Sequence, residues 1–252
     1  MVMSFRFGTY NVQHFLNYEK RLRDPAVQAI EIENAADVIL GEGLDICALQ
    51  EIDVHTKRCG GVHQLEALLQ LLSAKTGENW QGHFAKAIPF EGGEYGVALV
   101  SRYPITGVCT RAVGLPDAQK TGGRFEDRVL LTVSLEVEGQ PLTVINTHFG
   151  LMPAEQDLSV QYITEALQTI DTPVLLAGDF NVEPDDPHIA VLCRVLTPAA
   201  APDAMPLSYP SDVPDRTIDY IFSGNGVSVT GLRAVATCYS DHRPLVAQVA
   251  FS

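Results

Sequence analysis

The segment CYSDHRPLVAQVAF, residues 238–251, places a hydroxyl, a carboxylate and an imidazole side by side before an apolar run. Ser240, Asp241 and His242 are compatible with a serine nucleophile and its helpers, a metal ligand beside a proton-handling histidine, or a polar turn that begins the last strand. Adjacent residues of an extended strand point to opposite faces, so these three cannot close on each other as a nucleophilic triad. The metal ligand with a histidine is favoured, because the turn alone leaves similar strand ends elsewhere unexplained.

Polar side chains end several other apolar runs of the chain. Asn11 ends FRFGTYN, Gln50 and Glu51 end DICALQE, Asn146 and His148 end LTVINTH, and Asp179 and Asn181 follow PVLLAG. In open α/β sheets, such strand ends collect ligand-binding groups along one edge. Four of them in one chain indicate a site.

These residue types could hydrolyse a phosphate ester, a reaction that needs a hard cation, a base and hydrogen-bond donors. Carboxylate and amide oxygens are the ligands that Mg²⁺ or Mn²⁺ prefers, and Asn11, Glu51 and Asp241 offer them. Asp179 could take a proton from water, Asn181 could hold a phosphoryl oxygen, and His148 and His242 could donate to the developing charge. Taken singly, each is more often a structural residue, such as an Asp that hydrogen-bonds the backbone of its own turn.

Asp219 lies inside the apolar run TIDYIF. A buried acid is costly without a partner, and a histidine ring is a natural one.

The elements that must position these residues are short strands alternating with helices. The runs SFRFGTYN, DICALQ, YGVALVS, VLLTVSLEV, LTVINTH, PVLLAGD, TIDYIF and LVAQVAF are typical of strands. Helical spacing is present at residues 62–72, 154–170 and 25–40, and five prolines in 197–216 predict an irregular surface loop. With 252 residues and no linker, residues 1–252 are predicted to form a single domain.

Seven segments together resemble the endonuclease/exonuclease/phosphatase superfamily, which includes pancreatic-type deoxyribonuclease, abasic-site endonucleases, sphingomyelinases and inositol-polyphosphate 5-phosphatases. The segments are TYNVQ, ALQEID, YGVALVSRYPI, INTHFG, AGDFNVEP, IDYIF and SDHRPLVAQV, in family order over residues 9–249. GDFN followed by IDYIF and SDH is far more specific than one short motif.

The resemblance implies an α/β (α+β) fold, a four-layer α/β/β/α sandwich of two packed mixed β-sheets flanked by helices. It also implies a site at one end of that sandwich, with Asn11, Glu51 and Asp241 at the metal or in its immediate surroundings. Asp179 would activate or orient water, and Asn181 would contact the transition-state oxygens. His148 and His242 would surround the phosphate, and Asp219 would orient His242. Tyr95 falls where relatives carry a polar site residue.

One motif departs from the family pattern. After NTH, many relatives carry an arginine a few residues into the following helix, whereas this chain reads FGLMPAEQDLSVQ. Gln156 or Gln161 could compensate. Local positive charge elsewhere, at Arg21 and Arg23 and in the substrate-binding candidates Arg58 and Arg102, is equally compatible with solvated loops.

Charge and composition narrow the substrate. The formal net charge of −14 disfavours a long nucleic-acid track, because non-specific binding to a polyanion depends on Lys and Arg. A small or lipid-derived phosphodiester is therefore expected, with a DNA or RNA nuclease and a non-catalytic binding protein of the same fold as alternatives. Calcineurin-like phosphatases are disfavoured, since neither D-x-H near the first strand nor a later G-N-H is present.

The remaining features concern location and assembly. No segment is long and apolar enough to span a bilayer, and the start MVMSFRFGTYNVQ does not have the pattern of a signal peptide. Five cysteines without a C-x-x-C pair disfavour a disulfide framework or a zinc site, so a cytoplasmic setting is expected. The sequence carries no signal for an oligomeric state.

Overall fold

A computed structural model describes residues 3–252 of the chain. Its strands are β1 Ser4–Asn11, β2 Ile46–Val54, β3 Gln81–Phe90, β4 Gly93–Ser101, β5 Ile105–Val113, β6 Arg128–Val137, β7 Gln140–His148, β8 Val174–Asp179, β9 Thr197–Pro198, β10 Asp219–Gly224, β11 Val227–Ala234 and β12 Leu245–Phe251. Its α-helices are α1 Tyr18–Arg23, α2 Ile32–Gly41, α3 Gln64–Thr76, α4 Pro153–Leu167 and α5 Pro187–Leu192. No helix in this described part of the chain combines the length and apolarity required to cross a membrane.

The strands form two mixed sheets of six strands each. One sheet has the order β11-β12-β1-β2-β4-β3, and the other has the order β5-β6-β7-β8-β10-β9. Parallel pairing joins β1 to β2 and β7 to β8, while β12 and β10 run antiparallel to their neighbours β1 and β8. The central strands of both sheets are buried on both faces, which accounts for their nearly continuous apolar sequences.

Three apolar clusters separate four layers. The largest joins the facing surfaces of the two sheets, for example Phe7 and Leu99 of the first with Leu131 and Leu175 of the second. A second cluster packs α2 and α3 on the outside of the first sheet, and a third packs α4 and α5 on the outside of the second. The expected four-layer α/β/β/α sandwich of two mixed sheets is confirmed.

All eight strands predicted from apolar runs are present, with β1 and β12 at the predicted residues. The helices expected at 62–72 and 154–170 are α3 and α4. The helix expected over 25–40 begins only at Ile32, because residues 24–31 pass through turns and a bridge to Leu16. The loop 197–216 contains the two-residue strand β9, which pairs with Ser223 and Phe222 of β10. Five elements were not predicted from the sequence, namely β3, β5, β11, α1 and α5.

The register of the second sheet brings three site candidates to one edge. His148 at the end of β7 and Asp219 at the start of β10 are both opposite Asp179 at the end of β8. Gly178, just before Asp179, lies so close to β7 that a Cβ there would be 1.9 Å from the Thr147 carbonyl oxygen. The glycine of the AGD motif therefore permits the strand contact that places Asp179.

Candidate active site

Asn11 connects the ends of the two sheets. Its side-chain amide donates to Asp179 Oδ2 at 2.9 Å, across the sandwich, and to Glu51 Oε1 at 3.1 Å on the neighbouring strand. Its Oδ1 accepts from the Gln13 backbone N–H at 3.0 Å, so the amide orientation is determined at both ends. Glu51 and Asp179, 128 positions apart in sequence, are thereby brought to a shared donor.

The histidines surround Asp179. His242 Nδ1 lies 2.9 Å from Asp219 Oδ2 and its Nε2 lies 3.6 Å from Asp179 Oδ2. His148 Nε2 lies 3.4 Å from the same Asp179 oxygen. All four side chains are buried. The expected pairing of Asp219 with His242 is present in the geometry.

The two imidazoles, His148 and His242, differ in pKa and therefore in charge. Burial alone would lower the pKa of His242, but the charges of Asp219 and Asp179 and the hydrogen bond with Asp219 raise it to about 10. Burial, Arg128 and His242 hold the pKa of His148 well below its ordinary value. At neutral pH, His242 is therefore a cationic donor and His148 is neutral.

Three carboxylates of the site resist ionisation. Burial raises the pKa of Asp179 to about 6, with Asp219 adding to the rise. Burial and the charge of Glu51 raise the pKa of Asp241 to about 6, and burial and Asp179 raise that of Glu51. Burial is the main cause of all three shifts, and the neighbouring carboxylates add to it.

Glu51 projects from a distortion of β2. Pairing between β2 and β4 shifts register between Gln50 and Ile52, and Glu51 has a φ of 62°, in the left-handed region. A bulge redirects a side chain out of the strand alternation, and strained backbone of this kind is frequent at functional sites. Across the sandwich, buried Asn146 accepts from Gln50 Nε2 at 2.7 Å and donates to the Leu49 carbonyl at 2.9 Å, which fixes the strand beside the bulge.

The Ser240 side chain forms a hydrogen bond with the backbone. Its buried hydroxyl donates to the Asn11 carbonyl oxygen at 2.7 Å, which ties the SDH segment to the end of β1. Asp241 Oδ2 accepts from Gln13 Nε2 at 2.7 Å, and Gln13 Oε1 is buried without a hydrogen-bond partner among residues 3–252. The geometry agrees with the rejection of a serine nucleophile.

Asn181 also has a φ in the left-handed region, 52°. Its backbone N–H donates to Asp179 Oδ1 at 2.9 Å and its side-chain amide donates to the Phe149 carbonyl at 3.0 Å. One amide hydrogen remains, and the side chain lines the cavity, where it could donate to an oxygen of a bound molecule.

The donor set around Glu51 and Asp241 fits a hard divalent cation. Both carboxylates line one cavity, the charge of Glu51 raises the pKa of Asp241, and both side chains offer oxygen ligands. Asn11, expected at the metal, instead directs its amide N–H groups toward Glu51 and Asp179 and its oxygen toward the Gln13 N–H. Asp179, Asp219 and His242 offer a second group of ligand atoms within 4.8 Å of one another. That group fits less well, because a protonated imidazole with both nitrogens facing carboxylates has no lone pair for a metal.

A cavity of about 670 Å³ opens over these residues. Two substrate-binding candidates line it: Arg58, whose guanidinium lies 4.5 Å from the Phe90 ring centroid and forms a bidentate ion pair with buried Asp53, and Tyr95. Burial and the charge of Glu51 raise the pKa of Tyr95 well above its ordinary value, so its hydroxyl keeps its proton.

Several lining residues were not found from the sequence: Gln13, Arg124, Glu126, Arg128, Tyr209 and Arg216. Arg128 is buried, pairs with Glu126 and has Nη1 3.5 Å from His148 Nδ1. A cation opening the apolar run RVLLTVSLEV was the available signal for it. Tyr209 packs its ring 4.9 Å from that of His242, and no local pattern marks it.

Arg102, the third substrate-binding candidate, lies away from this cavity. It follows β4 at the end opposite the bulge, where its guanidinium pairs with Asp45 and Glu78. Gln156 and Gln161 do not line the cavity either: Gln156 donates to the Gly150 carbonyl, and Gln161 donates to Glu165 on the surface of α4. The compensation expected from Gln156 or Gln161 is therefore not present in the geometry, whereas Arg124 and Arg128 do line the cavity.

Comparison with known proteins gives one family. The model of the Endonuclease/Exonuclease/phosphatase family matches residues 8–242. No curated protein sequence matches the chain significantly.

Solved structures of the same fold cover nearly the whole chain. An endonuclease/exonuclease/phosphatase from Bacteroides vulgatus has a TM-score of 0.75 and 20% identity, over 99% of this chain and 100% of the other. A mannosyl-6-phosphatase from Bacteroides thetaiotaomicron has a TM-score of 0.72 and 16% identity, over 98% of this chain and 100% of the other. The human nocturnin catalytic domain with bound sulfate has a TM-score of 0.69 and 19% identity, over 99% of this chain and 94% of the other. At these identities the likeness concerns the fold.

Proposed function

Because this chain belongs to the Endonuclease/Exonuclease/phosphatase family, we propose that it is a Mg²⁺- or Mn²⁺-dependent phosphoesterase acting on a phosphodiester of a small or lipid-derived substrate. Hydrolases of phosphate esters are the enzymes of this family. The observation that carries the proposal is the position of Asp179, held by Asn11 between two histidines beside the cavity that Glu51 and Asp241 line.

In this proposal Asp179 is the base. Its pKa, raised to about 6 by burial, leaves the carboxylate ionised at neutral pH and yet more basic than an ordinary aspartate. A water beside it loses its proton to the carboxylate as the water oxygen bonds to phosphorus. The bond between phosphorus and the leaving oxygen breaks, and the leaving oxygen takes up a proton from solvent. Oxygen ligands from Glu51 and Asp241 would hold the metal, with Asn11 fixing the Glu51 carboxylate through its amide N–H, and the ion would supply positive charge to the phosphoryl group.

The cationic imidazole of His242 donates from Nε2 to a phosphoryl oxygen, and Asp219 keeps the ring in place through Nδ1. Asn181 donates its remaining amide hydrogen to another oxygen, and neutral His148 completes the surroundings of the phosphate. Arg58 and Tyr95 contact the rest of the substrate from the cavity wall. Arg102 has no part in the proposed site.

The experiment is hydrolysis of bis-p-nitrophenyl phosphate with Mg²⁺ or Mn²⁺ by the wild type, Asp179→Asn and Asp179→Ala. Loss of a general base should lower kcat by about 10³-fold. Asp179→Asn keeps the side-chain shape, so the thermal midpoint should change little, and Asp203→Asn, an exposed aspartate outside the cavity, serves as the control.

Wild-type rates in Asp179→Asn would refute the role of Asp179. Absence of turnover by the wild type on phosphodiesters, phosphomonoesters and oligonucleotides would instead support the non-catalytic binding protein. Plasmid nicking at low enzyme concentration that disappears at moderate salt would favour the nuclease.

A further inference from the structure

The cavity is lined by more cationic than anionic side chains, although the chain is acidic. Five of the twelve arginines line it, namely Arg21, Arg58, Arg124, Arg128 and Arg216, against four lining carboxylates. Its formal charge is therefore positive even with both histidines neutral, whereas the chain has a net charge of −14. A positive cleft in a negative surface concentrates anions at that cleft.

Two of these arginines are already neutralised within the protein. Arg58 donates through Nε and Nη2 to Asp53, which is fully buried, and Arg128 pairs with Glu126. Their positions are held by the fold, and much of their charge is compensated before any ligand binds.

Arg216 lies close to the reacting group. Its guanidinium stacks 4.7 Å from the Tyr209 ring centroid, and that ring packs against His242. Its nearest carboxylate, Asp215, is exposed and lies outside the cavity lining, with a separation of 3.3 Å. Arg216 is thus placed near His242, the residue to which the proposed function assigns a phosphoryl oxygen.

Arg21 and Arg124 differ from the other three. Both are exposed, both line the cavity, and within residues 3–252 neither has a carboxylate oxygen within 4.0 Å. Two exposed guanidinium groups without a carboxylate partner therefore lie at one cavity of a chain that has 31 acidic residues and 17 basic ones. The hydrolysis proposed above does not use them.

Both arginines are carried by anchored segments. Arg21 is on α1, whose Tyr18 and Glu19 N–H groups donate to the carbonyls of Tyr239 and Cys238, just before Asp241. The loop that carries Arg124 is fixed by the Glu126 N–H, which donates to Glu155 Oε1 of α4 at 2.9 Å.

We propose that Arg21 and Arg124 bind a second, non-scissile phosphate of a small substrate. This inference rests on the proposed phosphoesterase function and specifies its substrate class. Guanidinium groups match phosphate in geometry, and a cavity of about 670 Å³ has the size of small-molecule sites rather than of an open track. In this proposal the metal, His242 and Asn181 contact the scissile phosphate, whereas Arg21 and Arg124 contact the second phosphate.

The test measures binding without turnover. Fructose 1,6-bisphosphate and glucose 1,6-bisphosphate are titrated calorimetrically into Asp179→Asn with Mg²⁺ in excess, and each is compared with its 6-phosphate. Each bisphosphate should bind about tenfold more tightly than its monophosphate, as expected for hydrogen bonds to a charged group. Arg21→Gln and Arg124→Gln, each added to Asp179→Asn, should reduce that ratio about threefold to tenfold, and the double substitution should remove it.

Arg194→Gln is the matched control, because Arg194 is exposed and lies outside the cavity. It should leave the ratio unchanged, and the thermal midpoint checks that each variant is folded. A ratio near one in the protein with both arginines, or a preference that survives the double substitution, would overturn the inference. So would a twelve-nucleotide oligonucleotide that binds more tightly than either bisphosphate and depends on the same arginines.

These outcomes are separate from failure of the proposed function. Bis-p-nitrophenyl phosphate hydrolysis by the protein with Asp179 tests the chemistry, whereas the calorimetric ratio tests the second phosphate. Hydrolysis with no bisphosphate preference would remove the inference and leave the function.

Discussion

Single residues at this site carry roles that their types alone leave ambiguous. Two histidines 94 positions apart differ in charge because His242 faces Asp219 and Asp179, whereas His148 faces Arg128. Ser240 and Asp241 are adjacent, yet the first binds the backbone and the second opens into the cavity. The surroundings of a side chain, more than its type, decide what it can do.

Glu51→Gln tests the proposed metal site at this scale. The substitution keeps the side-chain shape and an oxygen for Asn11, but it removes the negative charge that a divalent cation requires. The Mn²⁺ concentration for half-maximal hydrolysis should rise about tenfold or more, with kcat partly restored at saturating metal. Thermal unfolding with increasing Mn²⁺ gives a second readout, because a bound ion stabilises the folded state.

Glu33→Gln, on the exposed side of α2, is the control for this measurement. An unchanged half-saturation in Glu51→Gln, by rate and by thermal midpoint, would contradict the assignment of Glu51 to the metal.

At the scale of elements, short connections hold the cavity walls in place. Glu31, at the start of α2, accepts from Asn17 Nδ2 at 2.6 Å and from Asn34 Nδ2 at 3.1 Å and pairs with Lys20 of α1. It therefore links α2 to the helix that carries Arg21. The side-chain hydrogen bonds from Lys20 and Asn17 lower the pKa of Glu31.

Glu31→Gln should make this link insensitive to pH. Because the folded-state pKa is lowered, the wild type has this stabilisation above the ordinary pKa of Glu and loses it as pH falls through the lowered value. At pH 7 the variant should be less stable by about 1 kcal/mol, a figure reduced for the partial exposure of the pair. The difference should vanish in acid, as measured by urea unfolding from pH 7 to pH 3.

Glu136→Gln, an exposed position on β6, corrects for removing any carboxylate from this acidic chain. If the gap between wild type and Glu31→Gln stayed constant down to pH 3, the linkage between the ion pair and stability would be disproved.

At the scale of the whole molecule, the distribution of charge bears on whether the substrate is a long polyanion or a small anion. A net charge of −14 with positive charge gathered in one cavity opposes a long polyanion and admits a small one. The interpretation of residues 1–252 as one domain stays a prediction, supported by the apolar core that both sheets share. A cytoplasmic location also stays a prediction.

Duplex DNA should therefore bind weakly. In a gel-shift experiment with Asp179→Asn, Mg²⁺ and about 100 mM salt, half-saturation should lie above about 100 µM, because few cations are free to displace counterions. The same titration at lower and higher salt shows how many phosphates are contacted. Half-saturation at micromolar protein concentration, with affinity that falls steeply as salt rises, would favour the nuclease over the small-molecule phosphoesterase.

The sequence by itself predicted the fold and proposed most of the candidate site. Apolar runs marked eight strands, and the polar residues that flank those runs gave the candidates Asn11, Glu51, His148, Asp179 and Asp241, which the structure brings to one end of the sandwich. Strands are predictable in this way because the apolar pattern of a strand and the exit of the chain from a sheet are local properties. Edge strands β3, β5 and β11 were missed because their mixed exposure blurs the apolar pattern.

Only the tertiary structure decided which of the remaining polar residues share the cavity. Arg102 and Arg128 look alike in sequence, yet one lies at the far end of β4 with Asp45 and the other beside His148. Arg21, Arg124 and Arg216 come from a helix and two loops whose meeting depends on packing across distant parts of the chain. Convergence of this kind is set by sheet register and layer packing, which no short stretch of sequence encodes.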